Sequence, residues 1–348
     1  MSEFKAIILA GGSGERFWPL STPEKPKQFL NVFGGESLIR QSVSRLQGLV
    51  KPKDVFVVTS KQLVSATCRE LPEIPKANVV GEPMRRDTGA AVALGVGIAS
   101  IRVGKGQEGP LARSVPKDSK DPILGFFSSD QLATDPVKFR KALAAAIARA
   151  KRKSAIVTIG IKPTYAATQF GYVNPKTGAF VEKPNARKAK DYLKKGYLWN
   201  AGMFIARASV FRAAFAAHAP ELAGLAGLEG LGGLEGRRLK SVYEKLPKIS
   251  FDYAVMEKLK GVEVVKGDFG WDDVGSYAAF DKYFPHDSRG NVREGPTTVV
   301  EADGNICVAR SARISLLGVK NLVVVTTPNY VLVADKSRLT EMKKLFQR

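Results

Sequence analysis

Between Leu9 and Gln28 an apolar run ends in Leu9-Ala-Gly-Gly-Ser-Gly14, and three cations follow, Arg16, Lys25 and Lys27, with prolines at 19 and 26 among them. Gly11, Gly12 and Gly14 carry no Cβ, so the backbone can take positive φ and turn N–H groups toward phosphate oxygens. Arg16 and Lys27 add fixed positive charge. This is the outline of a triphosphate site, with Leu9, Ala10, Gly11, Gly12, Ser13 and Gly14 as its nucleotide-binding backbone and Arg16 and Lys27 as its catalytic cations. Two commoner motifs do not fit. The dinucleotide fingerprint would need a third glycine where Phe17 stands and an acid after Val55–Val58, where Thr59-Ser60 follows, and no G-x-x-x-x-G-K-[ST] loop occurs.

Chemistry at a phosphoanhydride asks for charge neutralisation and in-line positioning more than for a covalent nucleophile. Asp130 ends the apolar run Ile123–Ser129, which places its carboxylate at the strand-end edge expected to bind ligand; it reads as a metal ligand, with a helix cap as the alternative. Glu82 offers two acceptors to the N1–H and exocyclic amine of guanine. Glu182 and Lys183, ahead of Pro184, offer a carboxylate for a hydroxyl pair and an ammonium for a sugar phosphate, although Glu-Lys is also a common surface pair. Asn200 supplies both a donor and an acceptor. Histidine chemistry is not indicated, since His218 and His286 are the only histidines and neither sits in a catalytic motif.

The order Gly-x-Gly, Arg16, Pro19, Pro26-Lys27 resembles the signature of the sugar-nucleotide pyrophosphorylases, and its Trp-Pro-Leu-Ser and Pro-Lys-Gln-Phe-Leu variants resemble the members that make GDP-mannose. Glu15 stands where the family usually has Thr. The resemblance continues through Glu82–Thr88, Ser128–Asp130, Phe170–Val173, Val181–Pro184, Trp199–Phe204, Phe251–Glu257 and Trp271–Gly275, in family order and over nearly the whole chain. It implies GTP and mannose 1-phosphate as substrates, Mg2+ as cofactor, and Asp273 as a second metal ligand, with Asp272 as the alternative. It also implies nucleotide contacts at Pro83, Arg86, Asp87 and Thr88, hexose contacts from the Gly171-Tyr172 backbone and Asn200, and leaves room for a homodimer. One further departure is Arg86-Asp-Thr-Gly-Ala90, where Arg-Asn-Thr-Ala-Pro is usual.

To position these residues the chain must supply a sheet. Strands are expected near 5–9, 54–59, 77–80, 123–128 and 155–160, alternating with helices over 37–49, 88–103 and 136–150, with Thr88 as N-cap of the second. The alternation predicts an α/β fold with an open, mostly parallel doubly wound sheet; the resemblance makes it a Rossmann-like mixed sheet of nucleotide-diphospho-sugar transferase type. A polar excursion is expected over 104–122 and a glycine-rich connector over 222–236. After Phe284 the texture turns to short β runs and a closing helix over 336–346, so domains of 1–284 and 285–348 are expected. Apolar spacing supports only a β-rich second domain, and the resemblance implies a short left-handed β-helix there.

The chain has 348 residues, 44% of them hydrophobic, and a formal charge of +21. The basic runs fall at a helix end and on a helix face, as a solvated surface would have them, and no nucleic-acid recognition motif is present. No apolar stretch is long enough for a membrane span, so a cytoplasmic location with no membrane partner is expected. Cys68 and Cys307 lack disulfide or metal-ligand spacing. A sugar-nucleotide-forming enzyme is the leading reading, with a different sugar or base as its variant, a catalytically silent nucleotide-sugar sensor as the second reading and a nucleic-acid-binding protein as the third. The histidine count leaves no fused phosphomannose isomerase domain to expect.

Overall fold

A computed structural model describes residues 4–12, 14–100, 121–227 and 237–346. Ser13, most of the expected excursion over 104–122 and the glycine-rich stretch after Gly227 lie outside the described residues. By contact the chain divides into two units, Met1–Gly11 with Arg40–Asp272, and Gly12–Ile39 with Asp273–Arg348. The expected boundary at residue 284 falls inside the second.

The first unit is built on seven longer strands: β1 (Phe4–Ala10), β2 (Val55–Ser60), β3 (Val79–Glu82), β4 (Ile123–Ser128), β5 (Val157–Ile161), β6 (Leu198–Arg207) and β7 (Glu263–Gly267). Their order is β7-β5-β6-β4-β1-β2-β3, and a short pair, Tyr172–Val173 with Phe180–Val181, extends from β6. The apolar run at Lys5–Leu9 is buried because β1 lies between two parallel partners, with Ile7 opposite both Phe56 and Phe126. All five expected strands are present. Sequence reading did not foresee β6, which runs antiparallel to both β4 and β5 and makes the sheet mixed. Its register against β5 slips between Thr158 and Gly160. Such a bulge bends a strand and re-aims its side chains, and here the strand carries Asn200.

Of the helices α1 (Asp87–Ser100), α2 (Pro136–Arg152), α3 (Ala208–His218), α4 (Pro220–Gly227), α5 (Arg237–Glu244) and α6 (Phe251–Ala254), the first three pack on the sheet, and α4 packs on α1 and α3. Helix α1 is apolar all round and buried from Gly89 to Ala99, so it lies inside the core rather than on it. A Cβ on its Gly95 would come within 2.7 Å of the Phe126 ring. The helix starts at Asp87, so Thr88 is inside it and is not its cap. Asp135 caps α2 by accepting a bond from Lys138 N at 2.9 Å, ahead of Pro136 in the first turn. The helix expected over 37–49 is shorter, Leu38–Ser44, and the chain beyond it turns through Gly48 at φ 86°.

In the second unit Phe17, Phe33, Tyr277 and Phe280 form an aromatic core with ring centroids 5.4–6.4 Å apart. Beyond it lie β8 (Val292–Glu294), β9 (Thr297–Val300), β10 (Ile306–Ala309), β11 (Ile314–Leu317), β12 (Leu322–Thr326) and β13 (Val331–Asp335). Parallel stacking of β8 on β10 on β12, and of β9 on β11, is the pattern of coiled β rungs. Val292 faces Ile306 and Ile306 faces Val323, so successive rungs differ in length, which is why no six-residue repeat shows in the sequence. Buried asparagines tie the rungs. Asn305 Nδ2 donates to Asn291 Oδ1 at 2.9 Å and to Val319 O at 3.2 Å, while its Oδ1 accepts from Leu322 N at 2.9 Å. The closing helix, Lys336–Phe346, is a 3-10 helix, a form whose three-residue turn brings the buried Leu339 and Met342 into line.

Replacing Asn305 by Ala strands a carbonyl and an N–H between rungs. The Asn305→Ala protein should lose about 4 kcal/mol of stability, seen as a lower melting temperature, since each of the two unpaired buried polar groups costs about 2 kcal/mol.

Candidate functional site

In the second unit the glycine loop closes on Lys27. Gly14 sits at φ 65°, and a Cβ there would lie 2.4 Å from Lys27 Cβ, so only glycine fits. Ser21 Oγ and Phe17 N both donate to Gly14 O, at 2.6 and 2.9 Å, and fix the 3-10 turn Glu15–Phe17. Tyr277 OH donates to Phe17 O at 2.9 Å and pins that turn to the aromatic core. Glu15 and Arg16 are exposed, whereas Lys27 is buried, with its Nζ 2.7 Å from Asp273 O. A Cβ on Gly275 would lie 3.0 Å from Arg16 Nη1 and 3.4 Å from Asp273 Oδ2, so a guanidinium and a carboxylate flank one glycine. Between Asp273 and Gly275, Val274 adopts φ 46°, a left-handed conformation that strains a β-branched residue. Arg16, Lys27 and Asp273 are thus brought together.

In the first unit the ends of β1, β3 and β4 carry the expected residues. Leu9 O accepts from Ser129 N at 3.1 Å and Ala10 O from Thr59 Oγ1 at 3.0 Å. Asp130 follows β4 and accepts a bond from Ser128 Oγ. Arg45, buried, donates to Gln131 O at 3.0 Å and Ser128 O at 3.2 Å and so clamps the turn bearing Asp130. Burial lowers the Arg45 pKa to about 10, with the Asp130 charge pulling it back up. Asp272 lies in a short ladder opposite Leu132. Among the described residues no three His, Cys, Asp or Glu side chains form a ready-made metal cage.

Glu82 ends β3, buried, with its Oε1 accepting from Tyr243 OH at 3.2 Å and its Oε2 3.5 Å from where a Gly11 Cβ would be. Burial raises its pKa to about 7; the Tyr243 bond lowers it and the Asp87 charge raises it further. Pro83 is half-buried. Arg86 Nε donates to Tyr243 O at 2.7 Å and Arg86 Nη2 to Glu244 O at 3.1 Å, so this side chain holds the end of α5 that carries Tyr243. Asp87, at φ 64°, takes the Thr88 N–H on its own Oδ1, and Thr88 Oγ1 takes the N–H of Phe251 at 2.9 Å. The unusual Gly89 has a reason. Its N–H donates to Ile249 O at 3.0 Å, and a Cβ there would stand 2.6 Å from that same oxygen.

Gly171, Glu182, Lys183 and Asn200 also come together. A Cβ on Gly171 would lie 2.5 Å from Glu182 Oε2, and Gly171 O accepts from Asn200 N at 2.8 Å. Lys183 Nζ is 3.4 Å from Glu182 Oε1. The neighbouring Tyr172 is buried, its hydroxyl donating to Ala167 O at 2.9 Å. Burial raises the pKa of both Glu182 and Asp252; the Asp252 charge adds to the rise at Glu182, and Lys183 opposes it at both. Sequence reasoning gave no role to Arg45, Tyr243 or Asp252. Asp252 did stand in a motif, Phe251–Glu257, but an acid in the first turn of a helix also reads as a capping residue.

A family model described as "Nucleotidyl transferase" matches residues 5–226, and one described as "MannoseP isomerase/GMP-like beta-helix domain" matches 295–348. The chain is 33% identical to a mannose-1-phosphate guanylyltransferase of Salmonella typhimurium, over 98% of this chain and 71% of that protein. It is also 33% identical to a xanthan biosynthesis protein of Xanthomonas campestris, over 99% of this chain and 73% of that one. The crystal structure of a mannose-1-phosphate geranyltransferase from Thermus thermophilus superposes with a TM-score of 0.85 at 33% identity, covering 99% of each chain. Among the described residues no helix is long and apolar enough to cross a membrane.

A buried carboxyl whose folded pKa is about 7, against 4.5 in the unfolded chain, contributes stability that is whole below the unfolded value and is lost as pH rises through the folded one. Glutamine does not titrate. Compared with the parent, Glu82→Gln should therefore gain stability by up to about 3 kcal/mol between about pH 5 and pH 8, read from paired melting curves.

Proposed function

Because the chain belongs to the nucleotidyl transferase family, and within it to the mannose-1-phosphate guanylyltransferases, we propose that it transfers the guanylyl group of GTP to mannose 1-phosphate, giving GDP-mannose and pyrophosphate. A phosphate oxygen of the sugar phosphate attacks the α-phosphorus in line, pyrophosphate leaves, and no intermediate forms on the enzyme. Arg16 and Lys27 neutralise the charge that develops on the departing pyrophosphate. The observation that carries this reading is the fit of Gly14 against Lys27 beside Arg16: a turn that admits only glycine is built around two cations.

In the proposed assignment the backbone from Leu9 to Gly14 meets the phosphates. Glu82 as carboxylate accepts from guanine N1–H and the exocyclic amine, a pair of donors that adenine lacks. Pro83, Asp87 and Thr88 border the base and ribose, and Arg86 serves them by holding Tyr243. The Gly171-Tyr172 backbone, Glu182 and Asn200 meet the hexose, and Lys183 its phosphate.

The family's chemistry uses a divalent cation, and Mg2+ is the ion proposed. Asp130 and Asp273 are its proposed ligands, hard oxygen donors of the type that Mg2+ prefers together with substrate phosphates rather than an all-protein cage. When bound, the ion neutralises phosphate charge. Ser128 Oγ and Arg45 hold the Asp130 turn for that role. The proposed location is the cytosol and the proposed assembly a homodimer.

Pyrophosphate release with Mg2+, measured over GTP, ATP, UTP and dTTP against mannose, glucose and galactose 1-phosphates, should peak at GTP with mannose 1-phosphate and vanish for Asp130→Ala. Arg16→Ala should lower kcat about a hundredfold, as loss of one transition-state donor does elsewhere, and a near-normal rate would remove Arg16 from the catalytic groups. In Glu82→Gln the ratio of kcat/KM for GTP over ATP should collapse by about tenfold or more, because an amide turns a donor toward guanine's donors. A peak at another base or sugar would overturn the assignment of Glu82 or of the hexose.

A further inference from the structure

Asn200 is held in one orientation. Its Oδ1 accepts from Gly202 N at 3.1 Å and faces the Thr158 hydroxyl at 2.8 Å, while its Nδ2 donates to Asp252 Oδ1 at 3.1 Å. The single Thr158 proton is also within reach of Met203 O, at 3.0 Å. Turning the carboxamide over would set its NH2 against the Gly202 N–H and its oxygen against the Asp252 carboxylate, two repulsive contacts in place of two bonds. The arrangement has deep supports. Thr158 is fully buried, Gly202 holds φ 67° at the β6 bulge, and Asn200 itself is 7% exposed.

Asp252 is itself fixed. It lies in the first turn of α6, whose Ser250 cap accepts from Tyr253 N at 3.3 Å. The preceding residue, Phe251, donates its N–H to Thr88 Oγ1, and Ile249 O receives the Gly89 N–H. The start of α1 thus sets where the Asp252 carboxylate stands. The charges facing it are Lys183, Asp87 and Glu182.

We propose that Asp252 is a positioning residue for sugar recognition, which acts by locking Asn200 as a donor toward the hexose and leaves the acceptor role to Glu182. The inference rests on the reading of Asn200 as a hexose contact. It narrows the sequence expectation that Asn200 serves as donor and acceptor alike to the donor role. A sugar hydroxyl at this place then accepts from Asn200 and donates to Glu182, so the pocket reads an oxygen that does both.

The test is a double-mutant cycle on the full chain, with KM for mannose 1-phosphate and for GTP measured separately and folding checked by melting curves. Asp252→Ala should raise the sugar-phosphate KM about tenfold, the size of one hydrogen bond to a charged group, and leave the GTP KM unchanged. Asp252→Asn, whose Oδ1 still accepts from Asn200, should restore it to near the parent value. Asn200→Ala with Asp252→Ala should be no worse than Asn200→Ala alone. Multiplying effects, a failure of Asp252→Asn to rescue, or an equal rise in the GTP KM would overturn the inference while leaving the hexose reading of Asn200 in place. An Asn200→Ala protein with an unchanged sugar-phosphate KM would instead remove that reading and the inference with it.

Discussion

Three carboxylates held largely out of water set the terms of the first unit. Ionised carboxyls resist burial, and Glu82, Glu182 and Asp252 all show it in pKa values pushed upward. Each is kept in place by a partner brought from far along the chain or from the next position: Tyr243 for Glu82, Lys183 for Glu182, Asn200 for Asp252. Much of the local architecture serves those pairings. Gly171 has no side chain because Glu182 needs the space, and Gly89 has none because Ile249, three residues before Asp252, packs on the start of α1. Arg86 spends its guanidinium on the carbonyls that end α5, which keeps the Tyr243 hydroxyl over Glu82.

The second unit solves the opposite problem, how to concentrate positive charge beside a glycine turn. Lys27 is buried, an unfavourable place for an ammonium, and its Nζ is met by the Asp273 carbonyl and lies 5.9 Å from the centre of the Phe17 ring. The turn cannot drift, since Gly14 packs on Lys27 and Tyr277 holds the Phe17 carbonyl. The strained Val274 lies between Asp273 and Gly275 and aims the chain there. Strain at such a position persists only because the surrounding contacts fix it.

How much of this could be read beforehand follows from what kind of signal each part leaves. Apolar runs such as Lys5–Leu9 and Ile123–Ser128 announce buried strands, and both formed with nearly the expected bounds. Strand β6 left no such sign, because Leu198–Arg207 mixes two aromatic residues, an asparagine and a glycine that serve the bulge. Rungs of unequal length hid the parallel stacking of the C-terminal strands. Among the candidate site residues, those in short motifs stand out in the sequence: Gly14, Arg16 and Lys27 in one stretch, Glu182 and Lys183 in another. Arg45, Tyr243 and Asp252 do not stand out, since only the fold brings each against its partner; Tyr243 and Glu82 are 161 positions apart. The departures at Asp87 and Gly89 have a meaning in the backbone, a left-handed helix start and a close approach.

The contrast between a basic chain and its buried acids bears on selectivity. A formal charge of +21 draws in any phosphate-bearing molecule, GTP and ATP alike, so it can speed encounter without choosing between them. Choice has to come from groups whose bonding fails with the wrong partner. A buried carboxylate does this well: facing two N–H donors it is satisfied, and facing adenine's ring nitrogen it meets a lone pair and stays unpaired in a dry place. The burial that lifts the Glu82 pKa is therefore the same property that would let it discriminate, and a more exposed acid, solvated whichever base arrived, would give up that selectivity along with its shift.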